Sequence, residues 1–435
     1  MRLAWFSPFP PVRTGVAQCS AELVDVLRRR GWTIDAYPEA GAHDFPWRHQ
    51  RQPYDLIVYQ FGNSSHHDYE WPYALRYPGM TVLHDTRLHH ARAALLLREK
   101  RVPDYRDEFH WNHPGVPDGA AELAVAGFDS RLYYEWPMVR ALVAASRLVA
   151  VHGDGALEEL RDAVSGTIVR SIRLGHGEAV APERARAARA RVRARYGIAD
   201  GDVLFGCFGG LTSEKRIPQI LQALRAILPY APGARLLLAG APAAHYSAAA
   251  DISALGLADR VTSTGYLERE EDLTDHLAAC DASLNLRWPT ARETSGPWLR
   301  ALAAGRATIV LDLAHLADVP SLDPRTWTMN TQLPPPNSQG PVCVAIDVLD
   351  EDHSLRLAMR RLATDAALRG ELGRAAREWW AREHTLDAMA DDYERAMQEA
   401  AGRPAPRVEL PAHMRDAGDR RLRDLLRPFD VEVGF

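Results

Sequence analysis

Residues 289 to 305 read Pro289-Thr-Ala-Arg-Glu-Thr-Ser-Gly-Pro-Trp-Leu-Arg-Ala-Leu-Ala-Ala-Gly305 and carry the clearest structural pattern in the sequence. Hydrophobic segments at 282–286 and 307–311 flank this stretch, so the pattern predicts a strand, a polar loop, a short helix and a second strand. Pro297 suits a first helical turn, where its missing N–H has no partner to lose, and Gly305 suits the helix end. This order of elements is typical of a parallel α/β sheet.

The loop ahead of the predicted helix carries groups that suit a phosphate beside a sugar. Glu293, Thr294, Ser295 and Gly296 lie at the helix N-terminus, where backbone N–H groups without intrahelical partners meet the positive end of the helix dipole. Two hydroxyls and one carboxylate accompany them. Taken alone, Ser295 or Gly296 could also be an ordinary helix cap.

The overall composition is that of a globular protein with two domains. The chain has 435 residues, which exceeds the size at which one hydrophobic core keeps growing. A formal net charge of -5 predicts no general affinity for nucleic acid.

No apolar run approaches the length of a membrane span, and the first residues predict a strand rather than a signal peptide, so we expect a cytoplasmic protein. The widely spaced cysteines predict buried thiols rather than disulfides or a metal site: Cys19, Cys207, Cys280 and Cys343.

Strands and helices alternate in both halves of the chain. In the first half the predicted strands are 3–6, 33–37, 55–61, 80–83, 147–151 and 168–174, with a helix from Val16 to about Arg29. In the second half the predicted strands are 203–208, 235–239, 261–264, 282–286 and 307–311, and closing helices follow at 354–364, 366–382 and 385–400. The alternation predicts two doubly wound parallel sheets. We place an N-terminal domain at 1–180, a linker at 181–200, a C-terminal domain at 201–382, and a helix and tail at 383–435 that could pack back on the first domain.

Taken together, these patterns resemble the GT-B fold, and specifically the retaining glycosyltransferases of family 4. Phe208-Gly-Gly-Leu-Thr-Ser-Glu-Lys-Arg216 looks like that family's phosphate loop, and Glu293-Thr-Ser-Gly296 followed by Arg300-Ala-Leu-Ala-Ala-Gly305 looks like its donor-binding helix. Pro10-Pro-Val-Arg-Thr-Gly15 and His84-Asp85 are similar to its N-domain signatures. The resemblance covers nearly the whole chain and implies an α/β protein of two Rossmann-like domains that face each other across a cleft.

The resemblance also implies roles for individual residues. The catalytic residues would be His84, which would touch the donor sugar, Lys215 and Glu293. The nucleotide sugar would be bound by Gly15, Gly209, Gly210, Lys215, Arg216, Tyr266, Leu267, Glu293, Thr294, Ser295, Gly296 and Arg300. The sequence departs from the family pattern at three positions: Arg292 and Arg300 stand where the family has glutamates, the second of which binds the ribose, and Gly210 stands where it has an arginine. Glu293 lies one place after the first glutamate position.

The implied reaction moves a hexose-type sugar from a nucleotide diphosphate sugar to a glycan, lipid-linked or small-molecule acceptor, with retention of configuration. The leaving phosphate would take the acceptor's proton, so neither a metal nor another cofactor is expected. Fixed positive groups are required because negative charge develops on the diphosphate, and Lys215 is the leading candidate. Two alternatives stay open: a sugar-nucleotide epimerase or phosphorylase of the same architecture, and a non-catalytic binding protein.

Three further groups are weaker candidates. A metal site at His84, Asp85, His89 and His90 lacks a convincingly spaced further ligand. A polar and aromatic loop could meet an acceptor or simply be solvated: Asn63, His66, His67, Tyr69 and Trp71. Gly175-His176-Gly177 ends the last strand of the first half, and could be a hinge, a donor contact or a turn.

Overall fold

The computed structural model describes residues 1–128, 132–164, 166–243, 246–290, 294–313, 319–329, 340–415 and 426–429. The described residues form two compact units. Unit 1 comprises those of Met1–Ile172 and Ala390–Phe435, and unit 2 comprises those of Arg173–Thr290 and Thr294–Met389.

Within its described residues, unit 1 contains a six-stranded parallel sheet in the order β2-β1-β3-β4-β5-β6. The strands are β1 (Arg2–Phe6), β2 (Thr33–Tyr37), β3 (Leu56–Phe61), β4 (Met80–Leu83), β5 (Leu148–Val151) and β6 (Val169–Ser171). Every residue of β3, β4 and β5 is buried, as expected for parallel strands covered by helices on both faces. Strand order reverses between β1 and β3, which is where parallel sheets bind ligands.

The helices of unit 1 form two groups. Those that cover the sheet are α1 (Gly15–Arg29), α2 (Phe45–Arg51), α3 (Glu70–Arg76) and α9 (Asp154–Ala163). An insertion between β4 and β5 adds α4 (His89–Arg98), α5 (Val102–Asn112), α6 (Gly119–Val125), α7 (Leu132–Glu135) and α8 (Arg140–Ala144). The insertion has its own core, in which Tyr105, Phe109 and Met138 are buried.

Unit 2 contains, among its described residues, a seven-stranded parallel sheet in the order β12-β13-β11-β10-β7-β8-β9. The strands are β7 (Val203–Phe208), β8 (Ala234–Ala239), β9 (Val261–Gly265), β10 (Ala282–Asn285), β11 (Ala307–Leu311), β12 (Ser321–Leu322) and β13 (Cys343–Ile346). The chain runs from β7 outward to β9, then returns to place β10 on the other side of β7. The loops after β7 and β10 therefore flank the point where strand order reverses.

The helices of unit 2 are α10 (Pro182–Arg195), α11 (Ile217–Ile227), α12 (Ala249–Ala254), α13 (Glu270–Ala279), α14 (Gly296–Ala303), α15 (Glu351–Thr364) and α16 (Ala366–Glu383). Its largest hydrophobic cluster joins β7, β8, β10, β11 and β13 to α11, α15 and α16. Helix α17 (Leu386–Ala401) begins in unit 2 and continues in unit 1, and α18 (Ala412–Arg415) belongs to unit 1. No helix in the described ranges is both long enough and apolar enough to cross a membrane.

The segment predicted as a linker, 181–200, is mostly helix α10 of unit 2, and the chain passes between the units after Ile172 instead. The helix has a buried side despite its many arginines. Arg193 is 2% exposed and, with Arg189, donates to the carboxylate of Asp281 at 2.9 and 2.7 Å. The composition of this segment could not reveal these partners because the acid lies about ninety residues further along the chain.

The C-terminal segment from residue 390 packs within unit 1. The Tyr393 hydroxyl donates to Gln60 Oε1 at 3.1 Å, and its ring stacks on Trp5 with centroids 5.7 Å apart. Further along, His413 of α18 lies 3.2 Å from the Glu108 carboxylate. These contacts tie the end of the described chain to the sheet and to the helical insertion.

Candidate functional site

The loops after β7 and β10 come together in unit 2. Because β7 and β10 pair in parallel, their carboxyl ends lie at the same edge of the sheet. The turn at Gly209 follows β7, and the N-terminus of α14 follows the loop after β10. An ideal Cβ built on Gly209 would lie 3.3 Å from Pro297 Cγ, so the turn and the helix N-terminus are neighbours.

Lys215 belongs to the same group. Its Nζ would lie 3.4 Å from a Cβ on Gly209 and donates a hydrogen bond of 2.6 Å to the carbonyl of Phe208. Gly209 has a φ of +89°, a conformation that a residue with a side chain rarely adopts. Gly210 has no heavy atom within 4 Å of an added Cβ. The structure thus groups the ammonium of Lys215 with an open glycine turn.

Helix α14 brings its N-terminus to this group. Ser295 is the N-cap, and its hydroxyl accepts from the Trp298 N–H at 3.3 Å, so Ser295 does serve as a cap. The Trp298 indole N–H donates to the Thr308 hydroxyl of β11 at 3.2 Å, which fixes the helix against the sheet. The N–H groups at the start of the helix, including that of Gly296, suit an anion. Capping and anion binding are therefore compatible here.

Arg216, named above as a candidate phosphate cation, is held elsewhere. Its Nε donates to the Glu351 carboxylate at 2.8 and 3.1 Å, and its Nη2 forms an ion pair with the same group. Hydrogen bonding and the charge of this carboxylate raise the pKa of Arg216, with burial acting in the opposite direction. Glu351 thus compensates the charge of Arg216, whereas the ammonium of Lys215 lies at the Gly209 turn.

Arg300 lies in the second turn of α14 and is buried, with 8% of the residue exposed. Its Nε donates to His176 Nε2 at 2.9 Å, and its Nη1 forms an ion pair with Glu270 at the start of α13. Burial first, and the Arg300 charge second, lower the pKa of His176 to about 3, so this imidazole is neutral at physiological pH. Sequence reasoning did not identify Glu270, because thirty residues separate it from its partner and it belongs to no motif.

Two residues predicted to bind the nucleotide sugar, Tyr266 and Leu267, follow β9. Tyr266 is 45% exposed at this edge of the sheet, whereas Leu267 packs against the cluster that contains Leu237 and Ala301. Thr294 is half-buried and precedes the α14 cap. Arg292 and Glu293, the second a predicted catalytic residue, lie outside the described residues.

Two predicted site residues belong to unit 1. Gly15 is the first residue of α1, with Thr14 as its cap and open space beside its Cα. His84 follows β4, and its Nε2 lies 2.8 Å from the side-chain oxygen Oε1 of Gln60. Burial first, and the ring of His152 second, lower the pKa of His84 well below its ordinary value. His84 is thus a neutral imidazole.

The other candidates in unit 1 are occupied by structural contacts. His67 is buried and its Nδ1 lies 2.9 Å from the buried Glu70 carboxyl, while Trp71 is a core residue. Asn63 Oδ1 accepts from the Ala91 N–H, which ties the loop to α4. Tyr69 also donates to the Tyr37 carbonyl, and His89 Nε2 lies 2.8 Å from the Tyr105 hydroxyl. Of the polar and aromatic loop, His66 is exposed.

The four histidine and aspartate residues considered for a metal do not form a ligand group. Across the described ranges, no set of three or more His, Cys, Asp or Glu residues is arranged to hold a metal ion. The four cysteines are free and buried, as predicted.

Comparison with known proteins shows the fold of this chain but does not assign the chain to a family. No family model matches the sequence, and no curated protein matches it. Among solved structures, sucrose-phosphate synthase from Thermosynechococcus elongatus is similar with a TM-score of 0.64 and 16% identity, over 92% of this chain and 98% of that one. The catalytic domain of starch synthase IV from Arabidopsis thaliana, solved with ADP and acarbose, has a TM-score of 0.64 and 12% identity, over 92% and 99%.

Alr3699/HepE of Anabaena, solved with UDP and glucose, has a TM-score of 0.58 and 14% identity, over 92% of this chain and 99% of that one. At such identities a structural likeness establishes architecture only, because one fold serves many activities. The sheets and their strand orders agree with this architecture. This α/β chain, with its two Rossmann-like units, has the GT-B fold predicted from its sequence.

Proposed function

We propose that this chain is a retaining glycosyltransferase that moves a hexose-type sugar from a nucleotide diphosphate sugar to a glycan, lipid-linked or small-molecule acceptor, without a metal. The observation that carries the proposal is the grouping of Lys215 with the Gly209 turn and the α14 N-terminus. The HepE and starch synthase structures contain a nucleoside diphosphate, which agrees with a nucleotide ligand for this fold.

The chemistry needs stabilisation of a leaving diphosphate. Lys215 supplies a full positive charge, and the backbone N–H groups at Ser295 and Gly296 supply fixed dipoles that need not reorganise during the reaction. Both act more strongly as negative charge grows on the phosphates, so they favour the transition state over the bound donor. In the proposed mechanism the leaving phosphate accepts the acceptor's proton. The roles of Gly15, His84 and Glu293 stay predictions.

The composition makes Lys215 unusually easy to test. The chain contains two lysines, Lys100 and Lys215, because arginine supplies nearly all of its cations. An amine-reactive reagent therefore modifies these two side chains and the N-terminal amine, and peptide mass spectrometry resolves them. We expect the bound diphosphate to protect Lys215 and to leave the exposed Lys100 reactive.

The first experiment is a thermal-shift screen with UDP, GDP, ADP, CMP, TDP and their sugars, with and without EDTA, because a ligand of the native state raises its stability. The proposal expects one diphosphate to raise the melting temperature equally in both conditions, and its sugar nucleotide to be hydrolysed or transferred. Lys215→Ala should lower turnover at least tenfold, with Lys100→Ala as the matched control. A shift without any turnover would favour the non-catalytic alternative, and no shift with any nucleotide would overturn the proposal.

A further inference from the structure

Unit 2 contains a carboxylate, that of Glu270, which pairs with Arg300 of α14 and belongs to no sequence motif. Glu270 is the first residue of α13, and its side chain remains 44% exposed. Its partner, the Arg300 guanidinium, is only 9% exposed and also donates to His176. The partly exposed carboxylate of Glu270 is therefore held by the buried guanidinium of Arg300, which limits the side-chain rotamers available to Glu270.

The position of this acid follows from the two helices. Arg300 lies four residues beyond Gly296, so it is about 6 Å further along the α14 axis from the N-terminus where a phosphate would bind. Glu270 follows the β9 loop, in which Tyr266 is four residues earlier. Glu270 is thus the first helical residue after the loop that carries Tyr266, and its carboxylate pairs with the second turn of α14 through Arg300.

We propose that Glu270 binds the ribose of the nucleotide, accepting hydrogen bonds from its 2′ and 3′ hydroxyls, and that Arg300 positions it. The inference rests on the proposed function. In a nucleoside diphosphate the ribose separates the phosphates from the base. Glu270 connects the two elements proposed to bind these groups, because it follows the Tyr266 loop in the chain and pairs with Arg300 of the helix that begins at Gly296. Carboxylates bind ribose hydroxyls in other Rossmann-like sites because one acid can accept from both hydroxyls at once.

Arg300 and His176 form the support of this acid. An added Cβ on Gly177 would lie 3.1 Å from Arg300 Cα, and one on Gly296 would lie 3.0 Å from His176 Cδ2. The segment around His176 is thus packed against both the first and second turns of α14. His176 is neutral, so it accepts from Arg300 without opposing its charge. The Arg300 charge remains available to orient Glu270.

The test compares ribose and deoxyribose ligands. Binding of UDP, GDP and ADP, each with its 2′-deoxy counterpart, is measured by calorimetry for the wild type, Glu270→Ala and Glu271→Ala. Glu271 is exposed, adjacent and on the same helical turn, so its variant removes an equal charge without removing the proposed contact. We expect the wild type to favour the ribonucleotide at least tenfold, Glu270→Ala to lose that preference, and Glu271→Ala to keep it.

The outcomes separate this inference from the function on which it rests. If the wild type binds a ribonucleotide but Glu270→Ala keeps the same preference over the deoxynucleotide, the acid is a surface ion pair and this inference is wrong. Equal weakening of both ligands in Glu270→Ala would also overturn it, because a purely structural role predicts that result. If no nucleotide binds the wild type, the proposed function itself fails.

A separate measurement tests the positioning role of Arg300. Arg300→Met removes the charge while keeping a long side chain, and it should reduce the preference for ribose in the same direction as Glu270→Ala. A positioning role also predicts that adding Glu270→Ala to Arg300→Met changes the preference little further. Additive effects of the two substitutions would contradict that role.

Discussion

Arg300 donates a hydrogen bond of 2.9 Å from its Nε to His176 Nε2, and so joins the second turn of α14 to the segment that follows β6. Because Nε2 is the acceptor, the proton of this neutral imidazole lies on Nδ1. The backbone of His176 is also fixed, since its carbonyl accepts from the Trp380 indole at 2.9 Å and its N–H donates to the His384 carbonyl at 3.1 Å. The two residues form one rigid support.

This relationship predicts how stability depends on pH. Burial, aided by Arg300, lowers the pKa of His176 from 6.5 to about 3, so the unfolded chain takes up this proton before the folded chain does. Stability from this residue is therefore fully present above pH 6.5 and is lost as the pH falls toward 3. Unfolding measured in urea between pH 7 and pH 5 should show a steeper loss in the wild type than in His176→Gln, by up to about 1.4 kcal/mol per pH unit.

The control for this measurement is His66→Gln. His66 is exposed, so its replacement should leave the pH slope unchanged. Other buried histidines titrate in the wild type and in both variants, and the difference between curves therefore isolates His176. Equal slopes for the wild type and His176→Gln would show that folding does not shift the pKa of this imidazole.

A buried ion pair in unit 1 gives a second prediction. Arg92 Nε and Nη2 donate to the two Glu108 oxygens, each at 2.7 Å, and both side chains are almost fully buried. Burial alone would raise the pKa of Glu108, but the charge and hydrogen bonds of Arg92, with a smaller effect of His413, lower it to about 2. Glu108→Gln leaves the Arg92 charge buried without its counter-ion, which should cost about 3–5 kcal/mol in urea unfolding.

A double substitution distinguishes the pair from simple packing. Arg92→Met combined with Glu108→Leu removes both charges and keeps comparable side-chain volume. It should be less destabilising than the sum of the single effects by at least about 2 kcal/mol, because neither charge is left alone. Strict additivity would mean that the two side chains contribute independently.

Much of the fold could be predicted from local patterns. The strands 33–37, 80–83, 203–208 and 307–311 have the predicted bounds. The last three are short, largely apolar runs, as is typical of parallel strands covered on both faces, whereas 33–37 is an edge strand with an exposed Thr33. The helices of the insertion between β4 and β5 could not be predicted in this way. Their core is built from Tyr, Phe, Met and Ala at irregular spacing, and His and Arg side chains pack around it.

The candidate site, like the fold, could be predicted only in part from the sequence. The Gly209 turn, Lys215 and the α14 cap are contiguous signals, so the sequence was sufficient to propose them. The engagement of Arg216 by Glu351 and of Arg300 by Glu270 depends on pairing between residues 135 and 30 positions apart. Side chains of one charge look interchangeable in a sequence, and only the structure shows which carboxylate each of these arginines pairs with.

The last prediction concerns the glycine that supports the phosphate turn. A Cβ on Gly240 would lie 2.0 Å from the carbonyl oxygen of Gly209, so Gly240→Ala must displace the backbone of the turn. We expect it to lower the free energy of unfolding by about 1–3 kcal/mol and to weaken nucleotide binding more than tenfold. Gly210→Ala is the matched control for stability, because the space around that Cα is open.

Differential scanning calorimetry followed by calorimetric titration with the diphosphate separates the two effects. A Gly240→Ala protein that is destabilised but binds the diphosphate like the wild type would remove the Gly209 turn from the proposed site.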